Sequence, residues 1–313
     1  MDNLNLPVEK SEILFLYESS YSVPNGDPFT SEQRYDEETK KVLVSDVRIK
    51  RFIRDYFNDN NQNIYVANPD PDNKQTAGQR FLKLYESRTN KSMSARDFAL
   101  SLIDVRLFGA VIPIQKGKKK ADDDSGSENA FNLTGAVQFA LLNPSLNKVD
   151  LRMHQNTSVF TSDEKNKQGA ISTTTVVPYS LNQIHGWINP FSARHTGLNQ
   201  ADVSEMFKAL WVSINNANTR SKSNQNSLLL VQIIYSDANK KIYGADRLIE
   251  IDKDKTEKQD EQIRNSDDYV LNFTKLKEAV NSPAVKQINF YTENEKIKAE
   301  LQGADKFVWT EIL

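Results

Sequence analysis

Cysteine is absent from the chain. That excludes disulfides, thiolate nucleophiles and cysteine-ligated zinc. It is compatible with a reducing cytoplasm, the expected location. Histidine is scarce: only His154, His185 and His195 are present. His185, in Ile184-His185-Gly186-Trp187, reads as a packing histidine rather than a base. The chain has no Walker A loop, no H-E-x-x-H, no nucleophile elbow and no dinucleotide fingerprint. No apolar run approaches the length of a bilayer span, so no membrane partner is expected. The opening Met1-Asp2-Asn3-Leu4-Asn5 has neither the basic nor the apolar region of a signal peptide. A global basic field is also missing. With a formal net charge of −2, any nucleic-acid partner has to be held by local patches.

What is present is a globular composition, 38% hydrophobic and 26% charged over 313 residues, enough for one large domain or two ordinary ones. The most informative stretch runs from Pro24 to Phe57. Ile49, Phe52, Ile53, Tyr56 and Phe57 fall on one face of a helix, and Ser45 and Asp46 suit its N-terminus. Lys50, Arg51 and Arg54 fall on the opposite side, with Arg48 beside them. Asp46 and Asp55 flank this row, which is read as not neutralised by carboxylates one turn away. Arginine's planar fork suits phosphate. A phosphate-binding face and a merely solvated face both remain open on these residues. The Asn25-Gly26 turn offers backbone amides for an anion nest.

In chain order, residues 11–17 read as a buried strand, 18–44 as a loop, 45–58 as the basic helix and 64–67 as a short strand. Residues 77–88 and 94–103 read as helices, and 104–114 and 131–142 as strands. Asp70 and Asp72 lie between prolines without a third ligand and read as a solvated turn, so no metal and no cofactor are expected. The run 116–127 is low-complexity, its lysines offset by aspartates. Residues 150–178 read as a projecting hairpin with a polar turn at 162–169. A helix at 199–215, capped by Asn199 and Asp202, precedes a strand at 228–235. A strand near 242–251, helices at 273–280 and 293–301, and strands at 286–291 and 306–312 follow. Stripped of insertions at 60–103 and 150–190, the order is βαββαβ, an α+β plan of the ferredoxin-like or RRM-like type in one domain over 1–313.

Five motifs in order carry a family resemblance. They are Ser11–Tyr17 with Pro24–Pro28, Asp36–Thr39 with Val44–Asp55, Asp104–Val111, Thr134–Phe139, and Val177–Tyr179 with His185–Pro190. Together they resemble the repeated backbone subunit of type I CRISPR Cascade complexes, most closely the type I-B branch. The resemblance implies a ferredoxin-like palm, helical fingers (60–103) and a β-hairpin thumb (150–190). It implies a non-catalytic, crRNA-binding role in antiviral defence. The partners would be crRNA, target DNA through that crRNA, further copies in a head-to-tail helical array, and other Cascade subunits. The expected RNA contacts are Asn25, Gly26, Arg48, Lys50, Arg51, Arg54, Gly135, Gln138, His154 and Arg220. In the thumb the resemblance is carried only by His154-Gln155 and the hairpin pattern. The rival reading is a metal-dependent ribonuclease of the related type III class relying on Asp27. Here that residue stands in Asn-Gly-Asp-Pro, without that branch's paired glycines.

Overall fold

Side chains of a strand alternate between its two faces, so the unbroken run Ile13–Tyr17 needs cover on both sides of its sheet. The computed structural model, which describes residues 6–67, 75–113, 130–157 and 171–313, supplies it. Strand β1 (Ser11–Ser22) sends Ile13, Phe15 and Tyr17 into one core and Leu14 and Leu16 into another. On the first face lie helices α1 (Asp46–Asp59) and α2 (Gln200–Asn215), which bring Ile49, Phe52, Ile53 and Phe57 against Met206, Leu210 and Trp211. The second face is covered by the C-terminal region through Ile249, Ile263, Phe273, Leu276 and Phe307. Asp70 and Asp72, the run 116–127 and the turn 162–169 lie outside the described residues.

The main sheet contains β1, β2 (Val137–Phe139), β3 (Ile171–Ile188), β4 (Gln225–Tyr235), β5 (Val285–Tyr291) and β6 (Phe307–Trp309). Their spatial order is β6-β5-β4-β1-β3-β2, antiparallel except for the β5–β6 pair. A seventh strand, Arg152–Thr157, pairs with the first part of β3. Three smaller sheets and six further α-helices complete a mixed α/β architecture among the described residues. The β1–β3 ladder skips one position: Ser20 pairs with Tyr179 and Ser22 with Val177, leaving Tyr21 and Pro178 outside it. Proline has no N–H to donate, and Tyr21 takes a φ of 46° at the same point.

Several boundaries differ from those read in the sequence. Ile103–Phe108 is a helix, ended by Gly109 at φ 75°, and only Gly109–Pro113 is a strand. That strand pairs with Ala130–Thr134, away from the main sheet. A short apolar run does not distinguish strand from helix by its period, which is why 104–114 misled. The stretch 131–142 is broken into Ala130–Thr134, β2 and the start of Leu142–Pro144, which pairs with Lys41–Ser45. The 150–190 segment is no simple insertion, because Val177–Ile188 pairs with β1 along the centre of the sheet. Residues 64–67 form no strand, and only Glu250–Ile251 is extended within 242–251.

The caps of α1 and α2 are as expected. The Ser45 hydroxyl accepts from the Arg48 amide, and Asn199 and Asp202 form a reciprocal capping box. Asp202 also takes a two-pronged bond from Arg106, at 2.9 and 2.6 Å, tying α2 to the 103–108 helix. On α1, Phe52 is 2% exposed and wedged between helix and sheet. Phe52→Ala should lower unfolding free energy by about 3–5 kcal/mol in a denaturant titration.

Candidate nucleic-acid interface

Helix α1 forms a ridge between two grooves. One lies towards the helix Ala77–Glu86, encloses about 760 Å³, and is lined by Arg51, Arg54 and Arg80, with Asp55 as its one carboxylate among the described residues. The other lies towards the C-terminal half of α2 and the loop after it and encloses about 750 Å³. Arg48, Arg51, Lys208 and Lys222 face it, with Asp55 and Asp59. On a chain of net charge −2, these are local positive surfaces.

The basic row is more neutralised than its sequence implied. Lys50 Nζ lies 3.0 Å from Asp46, and Arg51 Nε 2.5 Å from Asp55. Residues four apart share a helix face, and long cationic side chains reach back or forward one turn to those carboxylates. Arg54 pairs with Asp104 at 3.3 Å, and Asp104 is completely buried. The Asp104 carboxylate also accepts from the amides of Tyr65 and Val66, at 2.8 and 3.0 Å. One acid therefore fixes Arg54 and the wall of the first groove together. The guanidinium of Arg54 sits 5.1 Å from the Phe108 ring centre, and Lys50 sits 5.8 Å from it. Burial pushes Arg54 below the ordinary arginine range, against the pull of Asp104.

Lys50 and Gln138 do come together: Lys50 Nζ donates to Gln138 Oε1 at 3.1 Å. Gly135 has a role within the fold itself. A Cβ there would stand 2.1 Å from the Phe108 carbonyl carbon, so the glycine lets two backbones cross. His154 is exposed on the strand opposite Thr174 and is not among the groups gathered at α1. Arg220 is exposed in the loop after α2.

Arg48 differs from its neighbours. Its guanidinium stacks on Phe52 at 3.8 Å, its Nε is buried without a hydrogen-bond partner, and it has no ion pair among the described residues. Lys222 faces the same groove. It donates to the Val23 carbonyl at 2.7 Å and to the Ser221 hydroxyl at 3.3 Å. Burial, and then the charge of Arg48, push Lys222 down to about 8. Neither cation has a carboxylate in ion-pair contact among the described residues, although Asp55 and Asp59 line the same groove, and two half-buried cations so placed favour an anion. The sequence did not single out Lys222. Its only signal was a cation in the polar loop after the 199–215 helix.

Asn25 is a fastening rather than an open nest. Its carboxamide oxygen accepts from both the amide and hydroxyl of Ser45, at 2.7 and 2.8 Å. Its own amide donates to Gln33 Oε1, and the Asp27 amide donates to the Glu32 carbonyl. Gly26 bridges to Gln33 within the same turn. The Asp27 carboxylate accepts from Phe29 and Thr30 amides and pairs with Arg34 at 3.0 Å. The Phe29 amide, then that of Thr30 and the Arg34 charge, hold this carboxyl below the usual range against a burial effect that raises it. Among the described residues, no group of three or more acids or histidines could hold a metal ion. No described helix is long and apolar enough to cross a membrane. His185 is a packing residue on these contacts: it stacks on Trp187 and bonds the buried Glu12 at 2.6 Å.

Residues 9–274 match the family model described as CRISPR-associated protein Cas7. A Haloferax volcanii protein of that same description is 30% identical over 300 residues, covering 88% of this chain and 84% of its own length. Two solved chains share the fold. One comes from a CRISPR RNA-guided surveillance complex, with a TM-score of 0.52 and 14% identity over 96% of this chain and 95% of that one. The other, from a surveillance complex described as pre-nicking, has a TM-score of 0.51 and 12% identity over 96% of both chains.

The two kinds of ion pair on α1 should separate in a stability measurement. Asp104→Ala leaves Arg54 buried without its partner and two amides unbonded, and should lower unfolding free energy by roughly 3–5 kcal/mol. Arg51→Ala breaks an exposed pair and should change it by less than about 1 kcal/mol. Equal effects in denaturant titrations would contradict the assignment of Asp104 as the fixing acid.

Proposed function

Since the chain belongs to the Cas7 family of CRISPR-associated proteins, we propose that it is a crRNA-binding backbone subunit of a type I, most closely type I-B, Cascade complex. The observation that carries this reading is the α1 ridge with a basic groove on either side. Arg48, Arg51 and Lys222 grip successive phosphates of a single strand. Lys50 and Arg54 stiffen the ridge through Asp46, Gln138 and Asp104. Phosphate contacts carry no base information, so any guide sequence is accepted and target DNA is read by pairing with the crRNA.

In this reading β1, α1, β2, β3, α2 and β4 are a ferredoxin-like, RRM-like palm, supported by the sheet order β4-β1-β3-β2. The helices Ala77–Glu86 and Ala95–Ser101 belong to the fingers. The hairpin of Arg152–Thr157 with the first part of β3, carrying His154, is the thumb that reaches a neighbouring copy in a head-to-tail array. Other Cascade subunits cap that array. The protein does no chemistry itself. Asp27, the residue the ribonuclease reading needs, is engaged by two amides and Arg34, which favours a turn-forming role.

Incubating the protein with guide RNAs of increasing length, and weighing the complexes by native mass spectrometry, tests the reading. Mass should rise in regular steps of one subunit, and complementary RNA added with Mg²⁺ should stay uncut. A single bound copy at every length, or regularly spaced cuts lost in Asp27→Ala, would refute it.

Lys222 gives a pH signature. Its folded-state value near 8 means that it loses its proton as pH rises through that point. A phosphate favours the charged form, so affinity is greatest below pH 8 and falls above it. Between pH 7 and pH 9.5 the log–log salt slope for single-stranded RNA should flatten by up to about 0.7, the value of one phosphate contact. Lys222→Arg stays charged throughout and should show no such change. An identical pH response in the two proteins would remove Lys222 from the interface.

A further inference from the structure

The turn 26–33 presents one aromatic ring to solvent, and Phe29 is 96% exposed. Every polar contact around it holds the backbone still. The Asp27 carboxylate accepts from the amides of Phe29 and Thr30, and the Asp27 carbonyl accepts from the Ser31 amide at 2.8 Å. The Asp27 amide donates to the Glu32 carbonyl at 2.7 Å, closing the turn, and Arg34 clamps the carboxylate from the side. Gln33 is 5% exposed and donates to the carbonyls of Arg34 and Leu43, so the base of the turn is anchored to the strand before α1. A rigid turn with a fully exposed ring at its tip is preorganised to place that ring against something else.

We propose that Phe29 is a stacking platform for one nucleobase of the bound strand. The inference rests on the single-stranded RNA reading above and adds a contact to the base, where that reading has contacts to phosphate only. Two connections place the turn beside the unpaired cations. Asn25, at its base, bonds to Ser45, the N-cap of α1, three residues before Arg48. Val23, just before it, accepts from Lys222. An exposed aromatic next to cations without carboxylate partners is the arrangement that single strands use, the ring taking a base and the cations the backbone. The surroundings do not suit a protein pocket. Apart from Pro28, the exposed neighbours on the turn are Thr30, Ser31 and Glu32, so the ring is not part of an apolar patch. Glu32 also keeps phosphate away from the turn itself and leaves that role to Arg48 and Lys222. In this assignment Asp27 is a positioning residue, since its carboxylate sets the angle of the Phe29 backbone.

The test is a cycle between ring and base. The full chain is bound to an RNA kept just long enough for a single copy, in which the base is removed at one position at a time. Wild type should lose about tenfold in affinity at the stacked position, within the range of one base–aromatic contact. Phe29→Ala should lose the same factor on intact RNA and lose nothing more when that base is absent. Its salt slope should equal that of wild type, because no phosphate contact is removed. Phe29→Trp should restore binding, and the melting temperature of all three proteins should agree. Wild-type affinity in Phe29→Ala would overturn the stacking assignment while leaving the RNA-binding function in place. Unchanged RNA affinity with smaller assemblies would overturn it in favour of a protein contact. Failure of the wild type to bind RNA at all would overturn the functional reading first, and this inference with it.

Discussion

The structure depends on one constraint: β1 is apolar on both faces. A strand that sends Phe15 one way and Leu14 the other has to be covered twice. The cover on one side is α1 with α2, and on the other it is the C-terminal region. Docking through Ile49, Phe52, Ile53 and Phe57 fixes the rotation of α1 and thereby decides which residues point outward. The outward surface is thus a by-product of core packing, and the cations are displayed at angles set by the sheet, which Lys50 also reaches through Gln138.

What distinguishes the outward residues is the company each keeps. Lys50, Arg51 and Arg54 resemble one another in sequence, yet Lys50 and Arg54 are mostly covered, beside the partly buried Asp46 and the fully buried Asp104, while Arg51 is exposed beside Asp55. A cation with a carboxylate in contact has less to gain from phosphate than one without. Arg48 and Lys222 face the same groove, and the charge of Arg48 disfavours that of Lys222. An incoming anion relieves that repulsion. The free protein therefore carries a local electrostatic cost that binding removes, a common feature of sites built for charged ligands.

The parts of this arrangement legible in the sequence were the local ones. Helix α1, its Ser45 cap and the Asn199–Asp202 capping box follow from spacing within one or two turns. The strand Ser11–Ser22 was legible as a buried run, though its polar end from Glu18 to Ser22 read as loop. Partnerships across long separations were not legible. Asp104 meets Arg54 from 50 positions away, and Lys222 meets Val23 from 199 away. The i,i+4 pairs Asp46–Lys50 and Arg51–Asp55 were within reach of sequence reasoning and were misjudged, because the side chains were treated as fixed at their Cβ directions rather than as flexible stems. Gly135 was expected to touch RNA, and the crossing of its backbone with that of Phe108 is another partnership between distant positions that spacing does not show.

The ladder gap between Tyr21 and Pro178 bears on how the molecule moves. Strand β3 has 18 residues, about 60 Å at the usual rise per residue, and a single chain segment serves both the sheet centre and the Arg152–Thr157 hairpin. The gap falls where one role passes to the other. No ladder pairing spans it, and the Ser20 hydroxyl reaches the Pro178 carbonyl only at 3.4 Å, so the outer half has a pivot there, while the pairing of Tyr179 onward with β1 keeps the inner half locked in register. The hairpin behaves as an arm on a fixed shoulder: it can swing, but it cannot slide.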